Sequence, residues 1–369
     1  MSALTERILE LACTIQQIPA PTFHEQQRAE FIHRQFQELG LCDVETDDIG
    51  NVYARRPGQG NAAPVLVTAH TDTVFPAHTP LTLTRSAARI HGPGIGDNAL
   101  GVAGLFGVAW MLAETKAPGD VWLAANVGEE GLGNLRGMRR VVERLGDRVK
   151  ATIVLEGMAL GHIYHNGIGV RRYRFTAIAE GGHSWLNFGR TSAIHLLLRF
   201  GADLTQLSVP ERPKTTYNIG TVSGGTSINT IAREASLDLD LRSETPEALE
   251  ELDLQVQALY HVHRRTAEAV GAQLIRQCIG DRPSGRLPRD HVLVQIAAQA
   301  LEAVGLTPIF DAGSTDANLP LSQQRPCICI GLTHGNNAHR PDEYIETGPL
   351  AQGLQALRDT VLGALEHVR

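Results

Sequence analysis

Five short segments of this 369-residue chain carry His, Asp or Glu where an apolar run or a glycine turn has just ended. His70-Thr71-Asp72 follows Val65–Ala69, and an imidazole with a carboxylate two residues on is the pairing in which the acid orients the ring. Asp97 closes the turn Gly92-Pro-Gly-Ile-Gly, where backbone can come close to an ion. Glu129-Glu130 comes after Val121–Ala125, Glu156 after Ile153-Val-Leu155, and His339 stands in the loop Gly335-Asn-Asn-Ala-His-Arg-Pro. Each alone has a bland explanation: a strand-end acid is commonly structural, and a Glu-Glu pair is usually a solvated helix start. Two like charges ending an otherwise apolar strand repel, and desolvation makes them costlier. A cation offsets both effects. Two imidazoles with carboxylates suit zinc or a similar divalent ion better than calcium, which prefers oxygen alone.

These side chains need elements to hold them. Leu4–Cys13 has helical period, and Glu25–Leu39 reads as a second amphipathic helix ended by Gly40. The nearly continuous apolar runs at Val65, Val121 and Ile153 read as strands covered on both faces, alternating with helices such as Ala99–Ala113. That pattern predicts an α/β sandwich with a largely parallel sheet. The middle differs. Val170–Ile178, Tyr217–Thr221 and Ala235–Arg242 alternate polar and apolar residues, as half-exposed antiparallel strands do, and helical stretches occupy Ser192–Leu204 and Pro246–Val270. We expect a catalytic α/β domain formed by 1–167 and 283–369, interrupted by a smaller α+β domain at 168–282. The α/β pattern resumes at His291–Val304 and Pro326–Ile330 and closes with a helix over Leu350–Val368.

Composition narrows the function classes. Apolar residues at 43% and charged residues at 20% suit a globular chain with a large core, not a disordered one. Lys plus Arg number 33 against 40 for Asp plus Glu, a net −7, so nucleic acid and anionic membranes lack the basic face they require. The N-terminal stretch has Glu6, Arg7 and Glu10 inside its apolar pattern, as an amphipathic helix would and a signal peptide would not. The longest uncharged apolar stretch, Ala99–Ala113, is too short for a bilayer. Five scattered cysteines without a CxxC pair read as reduced thiols, and the expectation is a cytoplasmic protein.

Several motifs fail. His24-Glu-Gln-Gln-Arg28 opens like HExxH, but Arg28 replaces the second histidine, which leaves a surface helix as the expectation. Asp97 takes the last glycine's place in a dinucleotide fingerprint and would repel a pyrophosphate. No GxSxG or GxxxxGK[ST] occurs.

With these excluded, His70-Thr-Asp72-Thr-Val, Gly94-Ile-Gly-Asp97-Asn, Gly128-Glu129-Glu130-Gly and His339 resemble the co-catalytic di-zinc exopeptidase/deacylase family over nearly the whole chain. Its members include glutamate carboxypeptidase, acetylornithine deacetylase, succinyl-diaminopimelate desuccinylase, aminoacylase and tripeptide aminopeptidase. The resemblance implies a three-layer, zinc-exopeptidase-like catalytic domain with an inserted ferredoxin-like dimerisation domain. It implies two zinc ions per subunit, with cobalt or manganese as substitutes. Asp97 would bridge them, Glu130 and His339 completing one site, His70 and Glu156 the other. Asp72 would hold His70, and Glu129 would be the general base on a shared water. Two metals about 3.5–4 Å apart lower the pKa of such a water toward about 7. A residue beside a ligand is placed to carry its proton to the leaving amine. The Asp97–Asn98 bond would be cis, with Asn98 where Asp or Met is frequent.

The same resemblance makes His183, in Gly181-Gly-His-Ser-Trp, an oxyanion-stabilising residue reaching a partner subunit. Asn229 and Arg242 would contact substrate, the guanidinium forking onto a terminal carboxylate. In Gly313-Ser314-Thr315-Asp316, backbone donors would meet that carboxylate. His162, His165, His195 and His334 are left as structural. Glu156 in place of Asp leans toward deacylases and carboxypeptidases over aminopeptidases. The expected function is hydrolysis of an amide bond in a small peptide or N-acyl amino acid by a homodimer. A tripeptidase-like aminopeptidase is the alternative. A non-catalytic metal-dependent binding protein is the third reading, and it has no use for Glu129 beyond the five ligands.

Overall fold

The apolar runs that end in the candidate ligands form the centre of a nine-stranded sheet. The computed structural model describes residues 2–113 and 115–368. It divides into two compact units, Met1–Gly167 with Gly285–Arg369, and Ile168–Ser284.

In the first unit, the strands Gly119–Asn126, Ala62–His70, Ala151–Glu156 and Cys327–Gly331 lie side by side and parallel. Cys42–Thr46 and Val52–Arg56 extend one side in antiparallel sense, and His162–Gly167 with Gly285–Arg286 extends the other. Ile309–Gly313 pairs with His162–Gly167 as well. Side chains on a strand point alternately to opposite faces, so a doubly covered sheet feeds two cores. Val65, Val67 and Ala69 pack with the helices Ser2–Gln16, Gln26–Glu38, Leu100–Met111, Val292–Ala303 and Leu350–His367. Leu66 and Trp122 turn the other way, against Met138, Val141, Val142 and Leu145 of the helix Arg136–Leu145. The result is a three-layer α/β domain.

The second unit is a four-stranded antiparallel sheet in the order Thr215–Gly224, Glu234–Ser243, Gly169–Ile178, Gln273–Arg282. The helices Ala193–Leu204 and Pro246–Ala269 complete a βαββαβ, ferredoxin-like arrangement. The alternation in sequence becomes two faces. Tyr173, Phe175, Leu237 and Leu239 meet Phe200 and Val256 of the helices, while Arg172 and Arg174 pair across the strands with Asp240 and Asp238.

Back in the first unit, the helix Leu100–Met111 is apolar all round, and Leu100 through Ala109 are buried. Glycine spacing lets it sit close to its neighbours. A Cβ at Gly101 would overlap the amide oxygen of Asn98, in the turn that carries Asp97. Gly101→Ala is therefore expected to lower unfolding free energy by about 1–3 kcal/mol, the range for overpacking. Urea denaturation against wild type measures it, and an unchanged midpoint would contradict the close packing.

Candidate metal centre

His70, Asp97, Glu129, Glu130, Glu156 and His339 come together from separate elements of the first unit. His70 ends the strand Ala62–His70, Glu156 ends Ala151–Glu156, and Glu129-Glu130 follows Gly119–Asn126. This is the carboxyl edge of a parallel sheet, where chain reversals leave side chains pointing into a crevice. Asp97 and His339 come from turns flanking a second, small sheet in which Arg89–His91 pairs with Tyr344–Glu346 and the latter with Gly335–Asn336.

Asp97 presents one carboxylate oxygen to each histidine. Its Oδ1 lies 3.1 Å from His70 Nε2 and its Oδ2 lies 3.0 Å from His339 Nε2. Glu156 Oε2 stands 3.7 Å from the same nitrogen of His70, and Glu130 Oε1 3.0 Å from that of His339. Ligand-capable atoms of His70, Asp97 and Glu156 fall within 4.8 Å of one another, as do those of Asp97, Glu130 and His339, and those of His70, Glu129 and Glu130. Two three-donor groups thus share Asp97, with mixed nitrogen and oxygen donors of the kind zinc and similar ions take. The residues fit a pair of divalent metals.

A framework of backbone hydrogen bonds holds them. The Asp72 carboxylate accepts from the amides of Glu129 and Glu130, both at 2.9 Å, and from Thr22 Oγ1. His70 Nδ1 meets the Asp72 carbonyl oxygen at 3.1 Å and its carboxylate at 3.5 Å. The acid therefore orients the ring chiefly through its backbone, while its side chain clamps the neighbouring turn. The Asp97–Asn98 bond is cis. Asn98 donates to the Leu155 carbonyl and accepts from the Gly157 amide, which brackets Glu156.

The surface reading of His24–Arg28 is wrong at two residues. Glu25 and Arg28 are 3% and 2% exposed. Glu25 accepts from the amide of Gly128 and from Arg136, and Arg28 donates to the carbonyls of Thr71 and Ile18. Both brace loops that carry candidate ligands. A failed HExxH was a signal that this helix starts with ionisable groups, but nothing in it showed which way they face. Glu343 was also missed. It is fully buried and accepts from the amides of Gly94, Gly96 and Asp97. Asp316, likewise buried, accepts from Asn126 Nδ2 and ties the turn after Ile309–Gly313 to the segment leading into Glu129.

Crowding shows in the proton affinities. Burial first, then the charge of Asp97, pushes the Glu130 carboxyl up to about 7. Glu156 is likewise pushed up to about 7, burial and Asp97 outweighing the help of His70. Asp316 rises to about 8 through burial and the nearby charge of Glu129. Burial works against a proton on His70, yet Asp72, Asp97 and Glu156 together hold its affinity well above the usual imidazole range. Bonds to Asp97 and Glu130 raise His339 to about 10. Carboxylates driven toward neutrality and histidines driven toward cations mark a cluster short of positive charge.

The remaining candidates divide between the units. Ser314 and Thr315 follow Ile309–Gly313 in the first, where the Thr315 amide already donates to Asn318 Oδ1. His183, Asn229 and Arg242 belong to the second. Gly182-His183 pairs antiparallel with Thr230-Ile231, and the Ser184 amide donates to the Asn229 carbonyl, so His183 and Asn229 are neighbours. The amides of Trp185 and Leu186 donate to His183 Nδ1, which leaves Nε2 as the proton-bearing atom of the neutral ring. Arg242 donates Nε–H to Asp240 on its own strand.

A sequence profile of peptidase family M20/M25/M40 matches residues 66–363. The chain belongs to this family. A succinyl-diaminopimelate desuccinylase of Delftia acidovorans (strain DSM 14801 / SPH-1) is 27% identical to this family member over 367 residues, 92% of this chain and 93% of its own. A Staphylococcus aureus tripeptidase superposes with a TM-score of 0.81 at 21% identity, covering 98% of this chain and 99% of its own. A dinuclear metal binding peptidase of family M20 from Bacillus subtilis gives 0.71 at 18%, covering 99% of each. These two structures share the fold. As a member of peptidase family M20/M25/M40 the protein is a metal-dependent amidohydrolase or peptidase. No helix among the described residues is long and apolar enough to cross a membrane.

Metal ligands must be deprotonated to bind. Asp97 and Glu130 raise His339 to about 10, so zinc added at pH 8 would have to expel at least that proton, and its uptake is expected to weaken as pH falls. Calorimetric zinc titrations in two buffers of different ionisation enthalpy are expected to give different apparent heats. Equal heats would contradict the charge balance above.

Proposed function

We propose that the protein is a two-metal hydrolase that removes an N-acyl group or a C-terminal residue from a small amino-acid derivative, with Glu129 as general base. The observation that carries this reading is Asp97, one carboxylate with an oxygen turned to each of two histidines, each histidine partnered by its own glutamate. His70, Asp97 and Glu156 would hold one ion, and Asp97, Glu130 and His339 the other, with zinc as the natural choice and cobalt or manganese as substitutes. Bound there, two such ions acidify water and stabilise the negative charge that develops during amide hydrolysis.

The chain's own groups do the rest. Glu129 is buried, its backbone amide pinned to Asp72, and it lies beside His70 and Glu130. That placement lets it take the proton of an attacking water and deliver it to the departing nitrogen. His183, with Nε2 as donor, is assigned to the oxyanion in a partner subunit's site. Asn229 beside it is assigned to the substrate. Arg242 stands on the exposed part of its strand and is assigned to a terminal carboxylate, which its planar fork matches. Ser314 and Thr315 are assigned to the same carboxylate. Trp185, Leu186, Phe188 and Ile228 are strongly exposed apolar residues flanking His183 and Asn229, which supports self-association of this unit as a homodimer. The desuccinylase relative supports an acyl substrate, as does Glu156 at its position.

Glu129→Gln is expected to retain metal and lose about 10²- to 10⁴-fold in kcat. Unchanged turnover would remove Glu129 as the base. With that variant as blank, one short peptide is assayed free at both ends, N-acetylated, and C-amidated. Cleavage of the acetylated but not the amidated form supports recognition of a terminal carboxylate. The reverse outcome overturns it in favour of an aminopeptidase.

A further inference from the structure

A carboxylate with no place among the candidate ligands holds the turn that carries the shared one. Glu343 Oε1 accepts from the amides of Gly96 at 2.7 Å and Asp97 at 2.8 Å, and Oε2 accepts from the amide of Gly94 at 3.1 Å. Its backbone carbonyl takes a fourth bond, from the Gly92 amide. The side chain is fully buried, so these amides replace the water it has given up. Three donors on two oxygens bind Glu343 to the backbone of the turn.

The other end of the link is His339, four residues earlier. The intervening loop is braced from within. The amide of Arg340 donates to the Asn337 carbonyl and that of Glu343 to the Arg340 carbonyl. Asn337 Nδ2 and the Arg340 guanidinium both donate to Asp342. His339 itself lies in the left-handed region at φ 66, a conformation that needs such support. One buried side chain therefore ties the turn of Asp97 to the loop of His339 across 246 residues of sequence.

We propose that Glu343 is a positioning residue that sets the Asp97 carboxylate against the His339 imidazole and so builds the Asp97–Glu130–His339 metal position. This rests on the two-metal reading above. It acts through the backbone amides of its turn and touches no metal or substrate. It braces two of the three donors at that position, and only one, Asp97, at the position of His70 and Glu156.

Glu343→Gln changes almost no volume but turns one acceptor into a donor. Whichever way the amide lies, its NH2 faces a backbone N–H. Metal-free protein, prepared by dialysis against a chelator, is titrated calorimetrically with Zn2+, and its melting temperature is measured alongside. Wild type is expected to bind two ions. The variant is expected to remain folded and to lose about 10- to 100-fold in affinity at one of them, the range for residues that orient metal ligands. Glu346→Gln, on the adjacent strand and paired with Arg89, is expected to titrate as wild type does. A folded Glu343→Gln protein that binds both ions with wild-type affinity overturns the proposal, whatever its melting temperature. If that variant does not fold, Glu343→Asp, which keeps the acceptors on a shorter stem, is titrated with the same criteria. Wild type binding fewer than two ions overturns the two-metal reading itself, an outcome the wild-type titration separates from the other.

Discussion

Asp97, Glu129, Glu130 and Glu156, two imidazoles and the further buried acids Asp72, Asp316 and Glu343 crowd one edge of a sheet, largely out of water. Like charges so placed repel, and desolvation adds to the penalty. Everything nearby answers that constraint. Cations between the carboxylates would meet it directly; without them, burial and the charge of Asp97 push Glu130 and Glu156 up to about 7. The protein meets the rest with backbone. Asp72, Glu25 and Glu343 are each buried, and each accepts at least one hydrogen bond from an amide of a loop that carries ligands.

This backbone framework explains why the loops can be both sharp and fixed. Asp72 reaches from the turn after one strand to the turn after the next, and its carboxylate and carbonyl oxygens serve different neighbours. Arg28 places a buried cation behind the same turn, its guanidinium satisfied by carbonyls of Thr71 and Ile18. Burial lowers that guanidinium's proton affinity to about 10, still far above physiological pH, so it stays charged. The parallel core beneath supplies rigidity: adjacent strands end at the same edge, and covering helices on both faces leave them no other register.

The second unit solves a separate problem with simpler means. Its strands alternate, one face packing Phe175 and Leu239 against two helices, the other carrying arginine–aspartate pairs across neighbouring strands. Exposed pairs of this kind contribute little to stability, typically 0–1 kcal/mol, but keep a polar face polar. His183 ends one strand of a short pair and Asn229 immediately precedes the other, amid exposed aromatic and aliphatic residues.

Much of this was legible beforehand. Apolar runs over Val65–Ala69 and Val121–Ala125 predicted buried strands, and alternation at Val170–Ile178 predicted a half-covered one, because side-chain period is a local property. The acids and histidines that end those runs were legible for the same reason. The helix Arg136–Leu145 was passed over although Met138, Val141, Val142 and Leu145 keep its period among four arginines. The strands Cys42–Thr46 and His162–Gly167 were passed over because short, polar segments gain their strand character from the sheet they join. Local pattern alone thus determined the fold class and which residues are chemically able to ligate. Tertiary structure alone decided that Asp97 turns one oxygen to each histidine, that Glu25 and Arg28 point inward, and that Glu343 closes on a turn 246 residues away. The reason is physical: a carboxylate's role depends on which donors surround it, and those donors are backbone amides that every residue but proline carries.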